Sequence, residues 1–183
     1  MKLNLENVNL SSNSGPNSFA SKLSSYIGEH GVILNTDTPD AHLCFIESHR
    51  QKHDVPMYQR LDGIYFNTAQ EYNRQNSNIR RTYEMADGVI FQSTFNKLLT
   101  TKYFGEHSSS TIIHNGADLR TIQETPELAL NRYENLWCCA ASWRPHKRLD
   151  ENIRYFLEHS GPKDGMIVAG GVSPDQKIKD DKI

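Results

Sequence analysis

Alternating strand and helix signals predict an α/β fold with a doubly wound parallel sheet, and three observations carry the prediction. β-Prone apolar runs recur along the chain, at 41–47 (AHLCFIE), 86–93 (ADGVIFQS), 112–113 and 137–141. Between them apolar residues return at helical spacing, as in Phe19, Leu23, Tyr26 and Ile27, and again in Leu149, Ile153, Phe156 and Leu157. The handovers from strand to helix are loops rich in Gly, Pro, Asn and Ser.

Taken in order, residues 2–10 alternate apolar and polar and predict a first strand. The 11–18 stretch SSNSGPNS is a concentrated loop signal before the helix that opens near Phe19. A weak strand at 32–34 and a better one at 41–47 precede 55–66, VPMYQRLDGIYF, a β-prone run entering an Asp-Gly turn. Residues 67–86 are polar and helix-compatible, with Tyr72, Ile79, Tyr83 and Ala86 as a sparse buried face. Val89 to Phe91 form a buried strand, and Phe95, Leu98 and Leu99 mark a helix with Gly105 as its stop. Residues 119–135, with Pro126, fit a linker or short helix. A strand at Trp137, a basic loop, a helix and a strand at Met166 follow. Residues 1–130 thus read as one domain with its linker. Residues 131–183 read as the opening strand-helix-strand unit of a second domain, with a charged tail from 173.

Composition narrows the class. With 183 residues, 37% apolar and 23% charged, the chain has the make-up of a soluble globular protein, long enough for one domain and part of another. A net charge of -2 excludes the broad basic footprint of a nonspecific nucleic-acid binder. No run approaches the ~20 apolar residues of a membrane span, and the first ten residues do not resemble a secretory signal. A cytoplasmic location is expected, with peripheral membrane contact left open. Cys44, Cys138 and Cys139 lie in apolar strand-like runs and read as small core hydrophobes, with neither metal-ligand spacing nor a disulfide framework.

Three places offer chemistry. The loop with Gly15 and Pro16 lets a phosphate or sugar approach the backbone, or is an ordinary strand-to-helix turn. Arg60 and Asp62, two apart at a strand end, face one side while the chain stays extended. They form either a structural ion pair beside a turn or a guanidinium and carboxylate at the mouth of an open sheet, where such folds bind ligands. In 142–149, Arg144, Lys147 and Arg148 cluster where a strand hands over to a helix N-terminus, which predicts a phosphate site; a solvated charge cluster around Pro145 is the competing reading.

The order of these motifs, Gly15–Pro16 then helix, ADGVIFQS then helix, IIHNGADL, and ASWRPHKRLD, resembles glycosyltransferase family 4. These are retaining nucleotide-sugar enzymes of GT-B architecture, with two Rossmann-like domains facing across a cleft. Asn115-Gly116-Ala117-Asp118 is similar to the family's Asn-Gly-Val-Asp at the domain junction, and Pro145-His146-Lys147 to its Pro-Glu-Lys. The resemblance implies a donor-binding set made of Gly15 and Pro16 lining the cleft, Asn115 and Gly116 at the junction, and Arg144 and Lys147, with Lys147 meeting the donor diphosphate. It also implies catalytic roles for Asp62 and Arg60 beside the transferred sugar. The arginine usual five residues before that lysine is replaced by Ser142, and Arg144 is the available substitute.

The implied activity is transfer of a sugar from a nucleotide-sugar donor to a carbohydrate or other hydroxyl acceptor, with no nucleic acid involved. Cations at a helix N-terminus can stabilise the leaving diphosphate, so no cofactor and no obligatory metal are expected. Members of that family run to roughly twice this length, as two full domains require, and their Glu-x7-Glu motif has no counterpart after Gly171. A truncated or split enzyme follows as an expectation. The alternative is a noncatalytic nucleotide- or sugar-binding module, or a subunit completed by a partner chain or dimer.

Overall fold

The computed structural model describes residues 1–12, 14–127 and 132–171, and divides the chain into two compact units, Met1–Ala117 and Asp118–Ile183. The tail expected from 173 onward lies outside the described residues.

The first unit is a parallel six-stranded sheet with three helices. Its strands are β1 (Lys2–Glu6), β2 (Ile33–Leu34), β3 (Ala41–Phe45), β4 (Met57–Leu61), β5 (Gly88–Phe91) and β6 (Ser110–Ile112). Its helices are α1 (Gly15–Glu29), α2 (Tyr72–Met85) and α3 (Thr94–Phe104). Strand order is β2-β1-β3-β4-β5-β6, and every pairing is parallel. The order reverses between β1 and β3. Right-handed crossovers therefore send α1 to one face and α2 and α3 to the other, giving the doubly wound, Rossmann-like α/β fold.

Side chains follow that division. Cys44 joins Met57, Leu61, Ile79, Tyr83, Val89 and Phe91 in the core under α2, with Leu99 and Phe104 of α3 packed against it. The next residue, Phe45, points to the opposite face and meets Phe19 of α1 at a ring separation of 6.2 Å. Ser93 caps α3 by accepting from the Asn96 N–H, and Gly105 closes it at φ 92. The β3-to-β4 connection, 46–56, carries no helix and lies as a loop whose Ser48 is buried.

Helix α1 begins at Gly15, earlier than its apolar face suggests. Proline suits the first helical turn because its missing N–H is not needed there, so Gly15 and Pro16 open the helix where the sequence reads as loop. A Cβ added at Gly15 would meet nothing within 4 Å, so neither space nor backbone demands glycine there.

The second unit contains α4 (Leu119–Glu124), β7 (Asn135–Ala140), a 3-10 turn (Pro145–Lys147), α5 (Leu149–His159) and β8 (Asp164–Ala169). β7 and β8 pair in parallel. Phe156 and Leu149 of α5 are buried with Met166, and the Trp137 ring packs edge-on to Phe156 at 5.7 Å. This covers one face of the pair.

The reading of all three cysteines as core residues is corrected here. Cys44 is buried and Cys139 half-buried, whereas Cys138 is exposed, because consecutive strand residues point to opposite faces and α5 covers the face of Trp137 and Cys139. Burial, with the Glu6 and Glu47 carboxylates nearby, pushes the Cys44 thiol up to about 12. At pH 8 that leaves about one part in ten thousand as thiolate. In a thiol-titration assay Cys44 should stay silent in the native protein while Cys138 reacts, and respond only after denaturation. A native Cys44 as fast as Cys138 would contradict this packing.

Candidate functional site

Open α/β sheets take ligands beyond the carboxyl ends of their strands. There the first unit gathers its charged and amide side chains. Arg60, near the end of β4, is only 5% exposed and stands over the Phe19 ring, its guanidinium carbon 3.7 Å from the centroid, with Phe45 at 5.4 Å. A buried guanidinium needs an anion and saturated donors. Arg60 donates from Nη1 to Asp62 Oδ1 at 2.6 Å and from Nη2 to Asn115 Oδ1 at 2.7 Å. Asn115 donates in turn to Gln92 Oε1 at 2.7 Å, and Gln92 donates to Asp62. The result is a closed ring of four side chains from β4 and the ends of β5 and β6.

Electrostatics at this ring are balanced. Burial lifts the Asp62 carboxyl above its usual range, against the pull of Arg60 and the hydrogen bonds from Arg60 and Gln92. Burial also lowers Arg60, opposed by Asp62. Neither charge is well placed without the other.

A second polar cluster lies on the opposite face, at the β1/β3 reversal. Glu6 Oε1 forms an ion pair with Arg50 Nε at 2.9 Å and faces His42 Nδ1 at 2.9 Å and His53 Nε2 at 3.1 Å. Ser48 Oγ donates to Glu6 Oε2 at 2.7 Å. Burial pushes Glu6 up, yet the Ser48 and His53 hydrogen bonds and the nearby imidazoles outweigh it, and the net direction is down. Burial pushes His42 down, against the pull of Glu6. Backbone strain marks the same place: Asn7 and Ile46, immediately after β1 and β3, have φ of 59° and 68°. Asparagine tolerates that region and a β-branched residue rarely does, and such outliers concentrate at functional sites.

The basic turn belongs to the second unit. Arg144 and Lys147 are exposed, and the turn is held by Lys147 N–H donating to Arg144 O at 2.8 Å and by Asn152 Nδ2 donating to Arg148 O at 2.9 Å. Arg148 adopts a left-handed φ of 55° as it opens α5. Asp150 and Glu151 occupy the first turn of α5, so the helix dipole already faces two carboxylates and three cations must outweigh them.

Of the residues singled out in the sequence, Arg60, Asp62 and Asn115 meet in one network, and Gly116 adjoins it. Gly15 and Pro16 stand one turn from Phe19, on which Arg60 rests. Arg144 and Lys147 share the turn of the other unit. Sequence reading missed Gln92, Glu6, His42 and His53. A histidine inside the alternating AHLCFIE strand, on the same face as Cys44, was the available signal for His42. Nothing local marks Glu6 or His53.

No protein-family model matches the chain, and no curated protein matches it in sequence. Its structure is similar to that of S. aureus MnaA solved with UDP, at a TM-score of 0.54 and 9% identity. The match covers 94% of this chain and 62% of that one. The likeness is one of fold. The chain spans less than two thirds of the length of that neighbour. No described helix is long and apolar enough to cross a membrane.

Proposed function

We propose that this chain binds a nucleotide sugar and transfers the sugar to a hydroxyl acceptor. The observation that carries the reading is the buried Arg60, held by Asp62, Asn115 and Phe19 at the carboxyl edge of a doubly wound sheet. A neighbour of the same fold was solved with UDP, which supports a nucleotide-bearing ligand.

In the proposed reaction the bond between the anomeric carbon and the donor phosphate breaks, its electron pair leaving with the diphosphate. The acceptor oxygen forms the new bond and gives up its proton to the departing diphosphate. In the second unit Lys147 and Arg144 are the cations offered to a diphosphate. In the first unit Asp62, oriented by Arg60 and Gln92, offers its carboxylate to sugar hydroxyls. Gly15 and Pro16 leave room at the α1 N-terminus for a ligand backbone to approach, and Asn115 and Gly116 border the same edge. The diphosphate role needs no metal.

Calorimetric titration with UDP- and GDP-sugars tests the reading. Lys147→Ala should weaken binding roughly tenfold, the loss of one charge-assisted contact worth ~1.4 kcal/mol. Gly15→Ala should leave stability within ~0.5 kcal/mol of the parent, since the added carbon meets nothing, while lowering affinity. Absence of heat at millimolar ligand, with the fold intact, sinks the donor site. A noncatalytic nucleotide- or sugar-binding module, or a subunit completed by a partner chain, is the second reading. It predicts binding without turnover by the isolated chain, and light scattering reports any partner copy.

A further inference from the structure

We propose that Glu6, His42 and His53 form a binding site for a borderline divalent cation of the zinc type. Three separate segments supply the ligands, and the fold brings them together. Parallel register sets Asn4 beside His42 and Glu6 beside Cys44, so Glu6 and His42 share one face of adjacent strands. The helix-free connection then brings His53 over that face. One ligand atom from each residue lies within 4.8 Å of the others.

The donor set selects the metal. Two imidazole nitrogens and one carboxylate oxygen suit zinc and its neighbours in the transition series, whereas calcium and magnesium prefer oxygen throughout. Three protein ligands leave a fourth position for water or an exogenous group. A recess of about 270 Å³ lined by Glu6, Asn7, Ser48, His49 and Arg50 gives the cation a path in. The Ser48 hydroxyl fixes the second oxygen of Glu6, the outer support that ligating carboxylates require.

An ordinary ion pair does not account for the crowding at Glu6. A single buried carboxylate needs one counter-charge, and Arg50 supplies it at 2.9 Å; two imidazole nitrogens within 3.1 Å of the same oxygen exceed that need. His42 Nδ1 also lies 3.0 Å from Asn4 Nδ2, an amide that turns aside when a cation takes the nitrogen. The His53 side chain is only 4% exposed and holds Nε2, where a metal bond would form, 3.1 Å from both Glu6 oxygens. Arg50 is 52% exposed and can swing into solvent when a cation takes its place beside Glu6.

The consequence is structural. A cation here staples the 46–56 connection to β1 and β3, on the face where β3 and β4 lack a crossover helix. Arg60 and Phe45 lie in register on the other face, so this cation takes no part in diphosphate chemistry, and the inference stands apart from the proposed function.

The test uses the full chain, stripped with chelator, then titrated with Zn²⁺ by calorimetry and with Co²⁺ by visible absorption. One equivalent should bind, Co²⁺ should show d–d bands of a low-coordinate nitrogen and oxygen site, and the melting temperature should rise with Zn²⁺. His53→Gln should remain folded by circular dichroism and lose the Co²⁺ bands. Arg50→Ala, at a half-exposed position that does not threaten folding, should bind Zn²⁺ roughly tenfold more tightly because a competing charge is gone. Folded protein that binds neither ion, or a His53→Gln protein that keeps the full Co²⁺ signal, overturns the proposal. An Arg50→Ala protein with unchanged affinity overturns it as well.

Discussion

Replacing Arg60 by alanine should lower stability by about 3 kcal/mol, at the lower end of the cost of breaking a buried ion pair. The substitution strips Asp62 of its counter-charge, leaves Asn115 Oδ1 without its donor and uncovers the Phe19 ring. Asp62 retains 27% exposure, so water meets part of its charge and the cost stays at that lower end. In a unit of this size the loss corresponds to roughly 10 °C in Tm. Urea denaturation measures it. The double variant Arg60→Met, Asp62→Leu should recover most of the loss, because removing both charges also removes their desolvation.

The pH dependence has a defined sign. Burial holds the Asp62 carboxyl above its usual range, so ionising it works against the fold. Its contribution is fully present below the unfolded pKa and is lost as pH rises through the folded value. Without Arg60 that folded value climbs further, and the Arg60→Ala protein should lose stability more steeply than the parent between acid and neutral pH. A variant within ~0.5 kcal/mol of the parent would mean that solvent already serves Asp62.

Gly170→Ala should be the most damaging change in the second unit. Gly170 has φ 111°, and a Cβ there would collide with the Ala141 carbonyl oxygen. Backbone cannot yield as a flexible side chain does, so about 3 kcal/mol or more is expected from clash and strain together. The damage should spread along the strand pair. Ala141 N–H donates to Ala169 O at 3.2 Å, and Trp143 Nε1 donates to the same oxygen at 3.1 Å, which ties the start of the basic turn to the end of β8. Hydrogen exchange should show protection lost across β7 and β8 and kept in α2 and β5. Gly171→Ala is the control: nothing lies within 4 Å of its added carbon, and it should be silent. Equal effects at the two positions would show that the close approach is not what matters.

The sheet and its helices were legible because their signals are local. Apolar spacing in Leu149, Ile153 and Phe156 and the buried run Val89 to Phe91 each specify an element without outside help. Arg60 and Asp62 were legible as a pair for the same reason, since two residues on an extended strand face one way. Gln92 was not, because only the side-by-side placement of β4 and β5 brings it to Asp62. Glu6, His42 and His53 are separated by long stretches of chain, and their meeting depends on β3 skipping past β2 to lie against β1. Burial of Cys138 was misjudged because an apolar run tells nothing of which face a neighbouring helix covers. The start of α1 shifted because proline marks both loops and first helical turns.

The ordering of strands has a bearing on how the protein is made. With every neighbour parallel, the described strands form no hairpin that could assemble early, and each pairing waits for a distant piece of chain. β1 leaves the ribosome before the other five strands of its sheet but is interior in the finished sheet. Until β3 has been synthesised, β1 has only the two-residue β2 beside it and one flank lies open. Nascent chains should therefore acquire protease resistance late and slowly, and expression should respond to chaperone supply more than folded-state stability alone would suggest.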